Sequence, residues 1–258
     1  MKKLILAAFL AIFALGSMTS CNSDVEPIEY TPQYILAVNI SDLMRNGLIE
    51  IFSYEEAVSA KIVKGEELPA SITVITNALG DTIGWKSDFK DEQNLTYLKD
   101  SMTVTFNEDK STKTIDCSKI TMLNQYDGGT IKFFGTIAVT NSLTSETETT
   151  REVITNQFGY GKENNDLYLT AFYTFNSKYE NAVMNECKIS GSASGNHFEY
   201  GTFSQEIGTE LNAGVYNYFT SGSMTLIVPE FGGFISPVGV SFTASSIIIE
   251  YEGNTTVY

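Results

Sequence analysis

LYLTAFYTF, residues 167–175, gives the clearest indication of the fold class. It is rich in aromatic and aliphatic residues, which favour β-strands. Successive side chains of a strand point to opposite faces. One face would carry Leu167, Leu169, Ala171, Tyr173 and Phe175, and the other Tyr168, Thr170, Phe172 and Thr174. Both faces carry aromatic residues, so either one face is core and the other exposed, or the strand is covered on both sides. We take Tyr168 and Phe172, on the second face, as candidate ligand contacts.

Similar β-rich runs recur along the chain, and turn-forming sequences such as DGG and GSASGN separate them. The runs SMTVTF (101–106) and TKTIDC (112–117) flank a polar loop and predict a hairpin. YILAVNI (34–40) is likewise rich in residues that favour β-strands and is also predicted as a strand. No series of strand-helix-strand units is present, which argues against a parallel α/β sheet. The prediction is a mainly β protein, either an antiparallel sandwich or a barrel-like meander.

One short helix is predicted near 54–64. Ser53 and Glu56 have the spacing of a capping box, in which each side chain bonds a free N–H group of the first turn. Apolar side chains then recur at helical spacing, and Gly65 follows as a stop signal.

The β-rich body, residues 34–258, contains a weak internal similarity. DCSKIT (116–121) followed by FFGT (133–136) resembles ECKIS (186–190) followed by FEYGT (198–202). The similarity suggests two related halves that divide near 124–129.

The first 20 residues have the organisation of a secretory signal. Lys2 and Lys3 precede an uninterrupted apolar run, residues 4–15, and small residues follow it. The run is shorter than the ~20 residues that a membrane-spanning helix needs.

Cys21 follows this signal directly, in the stretch Met18-Thr19-Ser20-Cys21. This stretch resembles the lipobox of Gram-negative bacterial lipoproteins. The resemblance implies cleavage before Cys21, lipidation of its thiol and acylation of the new N-terminus. Residue 22 is asparagine and not the aspartate that resembles an inner-membrane retention signal, so the resemblance implies the outer membrane, at its periplasmic face or at the cell surface. Residues 21–33 are polar and acidic, and we interpret them as a tether between lipid and body.

Composition limits the partners of the body. The chain carries 31 acidic and 16 basic residues, for a formal net charge of −15. Nucleic-acid binding depends on neutralising phosphates with Lys and Arg, so we expect no nucleic-acid partner. Anionic lipid would also repel the body, which makes an acyl anchor the expected contact with the membrane. The oligomeric state is left open by the sequence.

Two further cysteines, Cys117 and Cys187, lie in strand-like sequence. An even number of thiols in an oxidising compartment suggests a disulfide, and two buried free thiols are the alternative.

Motifs for catalysis or metal binding are absent from the sequence. There is no nucleophile elbow, P-loop or zinc-protease motif, and His197 is the only histidine. We therefore predict no catalytic residue, no metal ligand and no cofactor. The adjacent acidic residues Glu55 and Glu56 are interpreted as solvated charge. Trp85, the only tryptophan, is a third candidate ligand contact beside Tyr168 and Phe172.

These observations favour a lipid-anchored binding or structural module for a glycan or a protein. Two alternatives stay open: an anchored hydrolase that uses paired carboxylates, and a lipocalin-like carrier of small molecules. The second requires a closed barrel with an apolar cavity.

Overall fold

A continuous helix from Pro32 to Lys64 lies at the start of the computed structural model, which describes residues 30–89, 98–123, 130–143, 147–161, 166–180, 183–214, 219–229 and 236–258. The helix consists of α1 (Pro32–Asp42), a π-helical segment (Leu43–Ile49) and α2 (Glu50–Lys64). The Thr31 side chain caps α1 by accepting a hydrogen bond from the Tyr34 N–H. Gly65 ends α2 in the left-handed conformation, with φ of 64°.

The helix corrects three predictions. YILAVNI is not a strand, since Leu36, Ala37 and Ile40 are buried on one face of α1. Short apolar runs fit either structure, and here tertiary packing selects the helix. The helix predicted near 54–64 is confirmed, but it is only the end of a longer one. Ser53 is not a cap, because it lies within α2 and donates to the Ile49 carbonyl at 2.8 Å. The predicted tether, 21–33, ends earlier, since Pro32 already begins α1.

The other elements are strands of one antiparallel sheet. They are β1 (Ile72–Thr76), β2 (Thr82–Ser87), β3 (Leu98–Asp100), β4 (Met102–Phe106), β5 (Thr112–Asp116), β6 (Ile120–Leu123), β7 (Thr130–Leu143), β8 (Glu148–Gly161), β9 (Leu167–Glu180), β10 (Val183–His197), β11 (Gly201–Gly214), β12 (Phe219–Ile227), β13 (Val238–Phe242), β14 (Ile247–Tyr251) and β15 (Asn254–Val257).

The sheet is a meander with neighbours in sequence order, β1-β2-β4-β5-β7 and then each strand through β15; β3 pairs with β6, which also pairs with β7. The mainly β, antiparallel class is therefore confirmed, in the barrel-like form and not as a sandwich of two sheets. The path ends at β1 and β15, which do not pair with each other, so the sheet is not closed. The predicted 101–106/112–117 hairpin is present as β4 and β5.

The helix packs against one face of the sheet, the inner face. Phe52 of α2 meets Phe175 of β9 edge to face, with ring centroids 5.1 Å apart. Gly47 in the π-helical segment lies against the Phe158 ring of β8, where an added Cβ would approach within 3.0 Å. Strands from β2 to β11 thus contact one helix, and buried residues of helix and sheet belong to a single hydrophobic core.

Strand β9 has the predicted alternation. Leu167, Leu169, Ala171, Tyr173 and Phe175 are buried against the core, while Thr170 and Phe172 are exposed on the outer face. The division proposed near 124–129 lies outside the described residues. Both proposed halves contribute strands to the same sheet.

Candidate functional site

The outer face of the sheet carries an exposed apolar pair. Ile154 of β8 and Phe172 of β9 are register partners, and their side chains are 52% and 53% exposed. Both strands expose mostly polar side chains here, such as Glu152 and Thr170. Directly opposed residues of an antiparallel pair have Cβ atoms about 5 Å apart. Ile154 and Phe172 therefore form one continuous apolar surface, which we call the outer-face patch.

Tyr168 lies on the same outer face, four residues before Phe172. Its register partners are Gly159 on β8 and Asn196 on β10. A Cβ at Gly159 would come within 2.7 Å of the Tyr168 Cβ and 2.0 Å of the Leu167 carbonyl oxygen, so only glycine fits there. Tyr168 is half-buried, in contrast to the more exposed Phe172.

Trp85 is not a surface residue, and its prediction as a ligand contact is wrong. The side chain is 0% exposed on the inner face of β2. Its Nε1–H donates to Ser59 Oγ of α2 at 3.3 Å, and the Tyr54 ring lies 6.3 Å away. Trp85 therefore joins β2 to the helix.

Of the two alternatives for Cys117 and Cys187, the structure shows two buried free thiols and not a disulfide. Cys117 follows β5 and Cys187 lies on β10, with β7, β8 and β9 between these strands. At about 4.8 Å per strand this is roughly 19 Å along the sheet. A disulfide needs Cα atoms within about 7 Å. Burial raises the pKa of Cys187 to about 11, so this thiol stays protonated and unreactive near neutral pH.

Glu55 is fully buried, which overturns its interpretation as solvated charge. Lys113 of β5 donates to both of its carboxylate oxygens, at 2.7 and 2.8 Å. Ser59, one turn further along α2, also donates to it. The side chain of Lys113 is 12% exposed. This ion pair fastens α2 to the inner face of the sheet.

Arg151 of β8 donates to one carboxylate oxygen of Glu56, Oε2. Arg151 is 1% exposed and also donates to Tyr179 Oη at 2.7 Å and Ser177 Oγ at 3.1 Å. Both adjacent carboxylates are thus held by cations that connect the helix to the sheet. This arrangement gives the paired-carboxylate hydrolase no support from Glu55 and Glu56.

His197 is a structural link between β10 and α1. The backbone N–H of Glu199 donates to Nδ1 at 3.2 Å, and Nε2 lies 3.0 Å from the Asn39 side-chain amide. The atom of Asn39 that faces Nε2 is the amide nitrogen Nδ2, and the tautomer of the ring sets which group donates. Burial lowers the pKa of His197, against the opposing effect of the Glu199 and Asp166 carboxylates.

Three further predictions concern lipidation at Cys21, metal binding and a lipocalin-like carrier. Cys21 lies outside the residues that the structure describes. Within them, no three or more His, Cys, Asp and Glu side chains are grouped so as to hold a metal ion. The described strands form an open sheet in which β1 and β15 do not pair, so they do not make the closed barrel that a lipocalin-like carrier requires. No described helix is long and apolar enough to cross a membrane.

Sequence reasoning missed Ile154 and Arg151. The alternation of REVITNQFGY places Ile154 on the same face as Glu152 and Asn156, and an apolar residue on a polar face was an available signal. That signal could not show that Phe172 lies opposite Ile154. Arg151 lies on the other face, beside Val153, and burial of its charge depends on Glu56, 95 residues away.

Comparisons with known proteins add no relative: no family model, no curated protein and no solved structure matches this chain.

Proposed function

We propose that the protein is a lipid-anchored binding module of the outer membrane, and that the outer-face patch contacts its glycan or protein ligand. The observation that carries this proposal is the position of Ile154 and Phe172. They are register partners on the outer face, flanked on their own strands by polar residues, and each is about half exposed.

Folding does not require an apolar residue at either position. Phe172 alternates with Thr170 and Thr174 on its face of β9, and the core uses the other face. A threonine at 172 would keep a residue type that favours strands and would expose less apolar surface. An aromatic side chain retained on a solvated face is typical of recognition sites.

The size of the patch limits the contact. An aromatic side chain presents roughly 150–250 Å² of surface, so a half-exposed Phe172 offers about 100 Å². With Ile154, the patch stays below the few hundred Å² that mark large protein interfaces. This favours a small ligand unit or a single anchoring contact over a broad apolar interface.

Loss of Phe172 is expected to weaken ligand binding with little change in stability. In Phe172→Thr, binding should fall roughly 30-fold, the effect of losing about 2 kcal/mol at one anchoring residue. Stability should change by less than about 1 kcal/mol, because Phe172 contributes no buried core surface. The measurements are binding to an array of neutral and charged oligosaccharides, photo-crosslinking from position 172 to envelope proteins, and urea unfolding.

Phe198→Thr is the matched control. Phe198 is 68% exposed but lies in the turn between β10 and β11, away from the patch. It should bind like the parent protein. Equal binding by the parent and Phe172→Thr, or equal losses in both variants, would contradict the assignment of the patch.

The anchor has its own test. Cys21→Ser should leave the body folded but abolish lipid attachment, because a serine hydroxyl cannot form the thioether that carries the diacylglyceryl group. The acidic body has no electrostatic attraction to anionic membranes that could replace the lost chains. The measurement is metabolic labelling with a fatty acid, followed by membrane fractionation. A serine variant that still carried label and stayed with the membrane would exclude lipidation at Cys21.

A further inference from the structure

An open groove lies on the sheet between β12 and β15. Its volume is about 480 Å³. It is lined by Thr225, Pro237, Gly239, Glu250, Tyr251, Glu252, Gly253, Asn254 and Thr255. The lining combines residues with hydroxyl, amide and carboxylate groups with the exposed Pro237, while the Tyr251 side chain packs against the core. None of these residues takes part in the buried ion pairs that fasten the helix.

Gly239 leaves space for the groove. Its register partners, Thr225 on β12 and Glu250 on β14, both carry side chains. An added Cβ at Gly239 would lie 3.3 Å from the Glu250 Cβ and 3.6 Å from the Glu250 carbonyl oxygen, so a side chain could fit with only a small adjustment. The backbone therefore does not demand glycine here. A glycine that weakens a strand without a backbone reason often marks a position that a ligand approaches closely.

The groove is in register with the outer-face patch. Phe172 pairs with Ser192, Ser192 with Glu206, and Glu206 with Thr225, which itself pairs with Gly239. Residues in register lie on one face of the sheet, so this row crosses the outer face from the patch to the groove. Four strand spacings of about 4.8 Å give roughly 19 Å between its two ends.

We propose that the groove at Gly239 binds a sugar unit of a neutral oligosaccharide that also contacts Phe172. This inference rests on the proposed binding function and names its ligand class. The hydroxyls of a sugar can donate to Glu250 and Glu252, and can exchange hydrogen bonds with Thr225, Thr255 and Asn254. The less polar faces of a sugar ring fit against Pro237 in the groove and against Phe172 in the outer-face patch.

Charge selects a neutral chain over an anionic one. Glu206 lies on the row between the two ends, and Glu250 and Glu252 line the groove. Together with a formal net charge of −15, these carboxylates repel sulfated or uronic-acid chains. A ligand that spans the row joins two weak contacts in one molecule, which raises affinity without enlarging either contact.

Filling the groove tests the inference. The probes are neutral oligosaccharides of two lengths, disaccharides and long chains, measured by calorimetry with the protein lacking only its lipid. Long chains should bind the parent protein at least about tenfold more tightly than disaccharides. Gly239→Val should abolish this dependence on length, because valine occupies the groove while favouring the strand. Gly214→Val is the control, since it places the same side chain at the far end of β11 with no atom within 4 Å of the new Cβ.

Each result separates this inference from the proposed function. If Phe172→Thr loses binding while Gly239→Val keeps the length dependence, the groove is not part of the site, but the patch remains. If the parent protein binds no neutral oligosaccharide, or prefers anionic chains, the ligand class is wrong. Crosslinking from position 172 then still tests the patch for a protein ligand.

Discussion

Lys113→Met is expected to lower the free energy of unfolding by about 3–5 kcal/mol, the cost of leaving a buried charge without its partner. Glu55 is fully buried, and Lys113 is the cation that contacts both of its oxygens. Methionine keeps most of the apolar stem of lysine, so the lost charge dominates the effect. The free energy of unfolding is measured by urea denaturation at neutral pH, with circular dichroism as the signal.

Two further variants identify the cause. Glu55→Gln combined with Lys113→Met should recover part of the loss, because no full charge remains buried. Lys178→Met removes a half-exposed cation from surface pairs with Glu148 and Glu186, at 3.9 and 3.4 Å. This change should cost less than about 1 kcal/mol. Similar losses in Lys113→Met and Lys178→Met would contradict a special role for the buried pair.

Trp85→Ala is expected to destabilise the protein by about 3–5 kcal/mol, through lost burial and a cavity between β2 and α2. The side chain is 0% exposed, and its N–H group bonds Ser59. The measurement is again urea unfolding, combined with ligand binding by the folded fraction. Affinity of the folded molecules should not change, because the outer-face patch lies on the opposite face of other strands.

Trp85→Phe provides the folded comparison. It retains an aromatic ring in the core and loses only part of the volume and one hydrogen bond, so its cost should be clearly smaller. If this variant remained folded but lost ligand affinity as strongly as Phe172→Thr, Trp85 would have to belong to the binding site after all.

The local pattern of β9 was sufficient to predict its structure. Leu167 to Phe175 alternate between apolar inner and mixed outer side chains, and the sheet uses them in this way. The 101–106/112–117 hairpin was predictable for the same reason, since its strands and loop are adjacent in the chain. These elements depend on neighbours that the sequence itself places close together.

The helix could be predicted only at its end. Gly65 signals a helix stop wherever the preceding residues are helical. Residues 34–40 contain no comparable signal, because their apolar run is compatible with a buried strand as well as with a buried helix. The structure buries Leu36, Ala37 and Ile40 in a core shared with strands far along the chain, and the sequence of residues 34–40 does not specify those partners.

The candidate site shows the same limit. Sequence alternation identified the outer face of Phe172, but Ile154 became its partner only through the register of β8 and β9. Trp85 and Phe172 look alike as isolated aromatic residues, yet one is buried and the other exposed. Alternation separates the two faces of a strand, but the packing of the helix against distant strands decides which of these faces is buried.

The antiparallel β class, the strand at 167–175 and the end of the helix could therefore be predicted from the sequence, because each depends on residues close in the chain. The sequence also supplied the lipobox-like stretch at Cys21 on which the proposed anchor rests. Tertiary structure alone decided the charge pairs of Glu55 and Glu56, whose partners lie 58 and 95 residues away. It likewise decided the outer-face patch and the groove at Gly239. Long-range pairing sets these features, because a charge is buried only where the fold supplies a partner for it, and a ring is exposed only where no other element covers it.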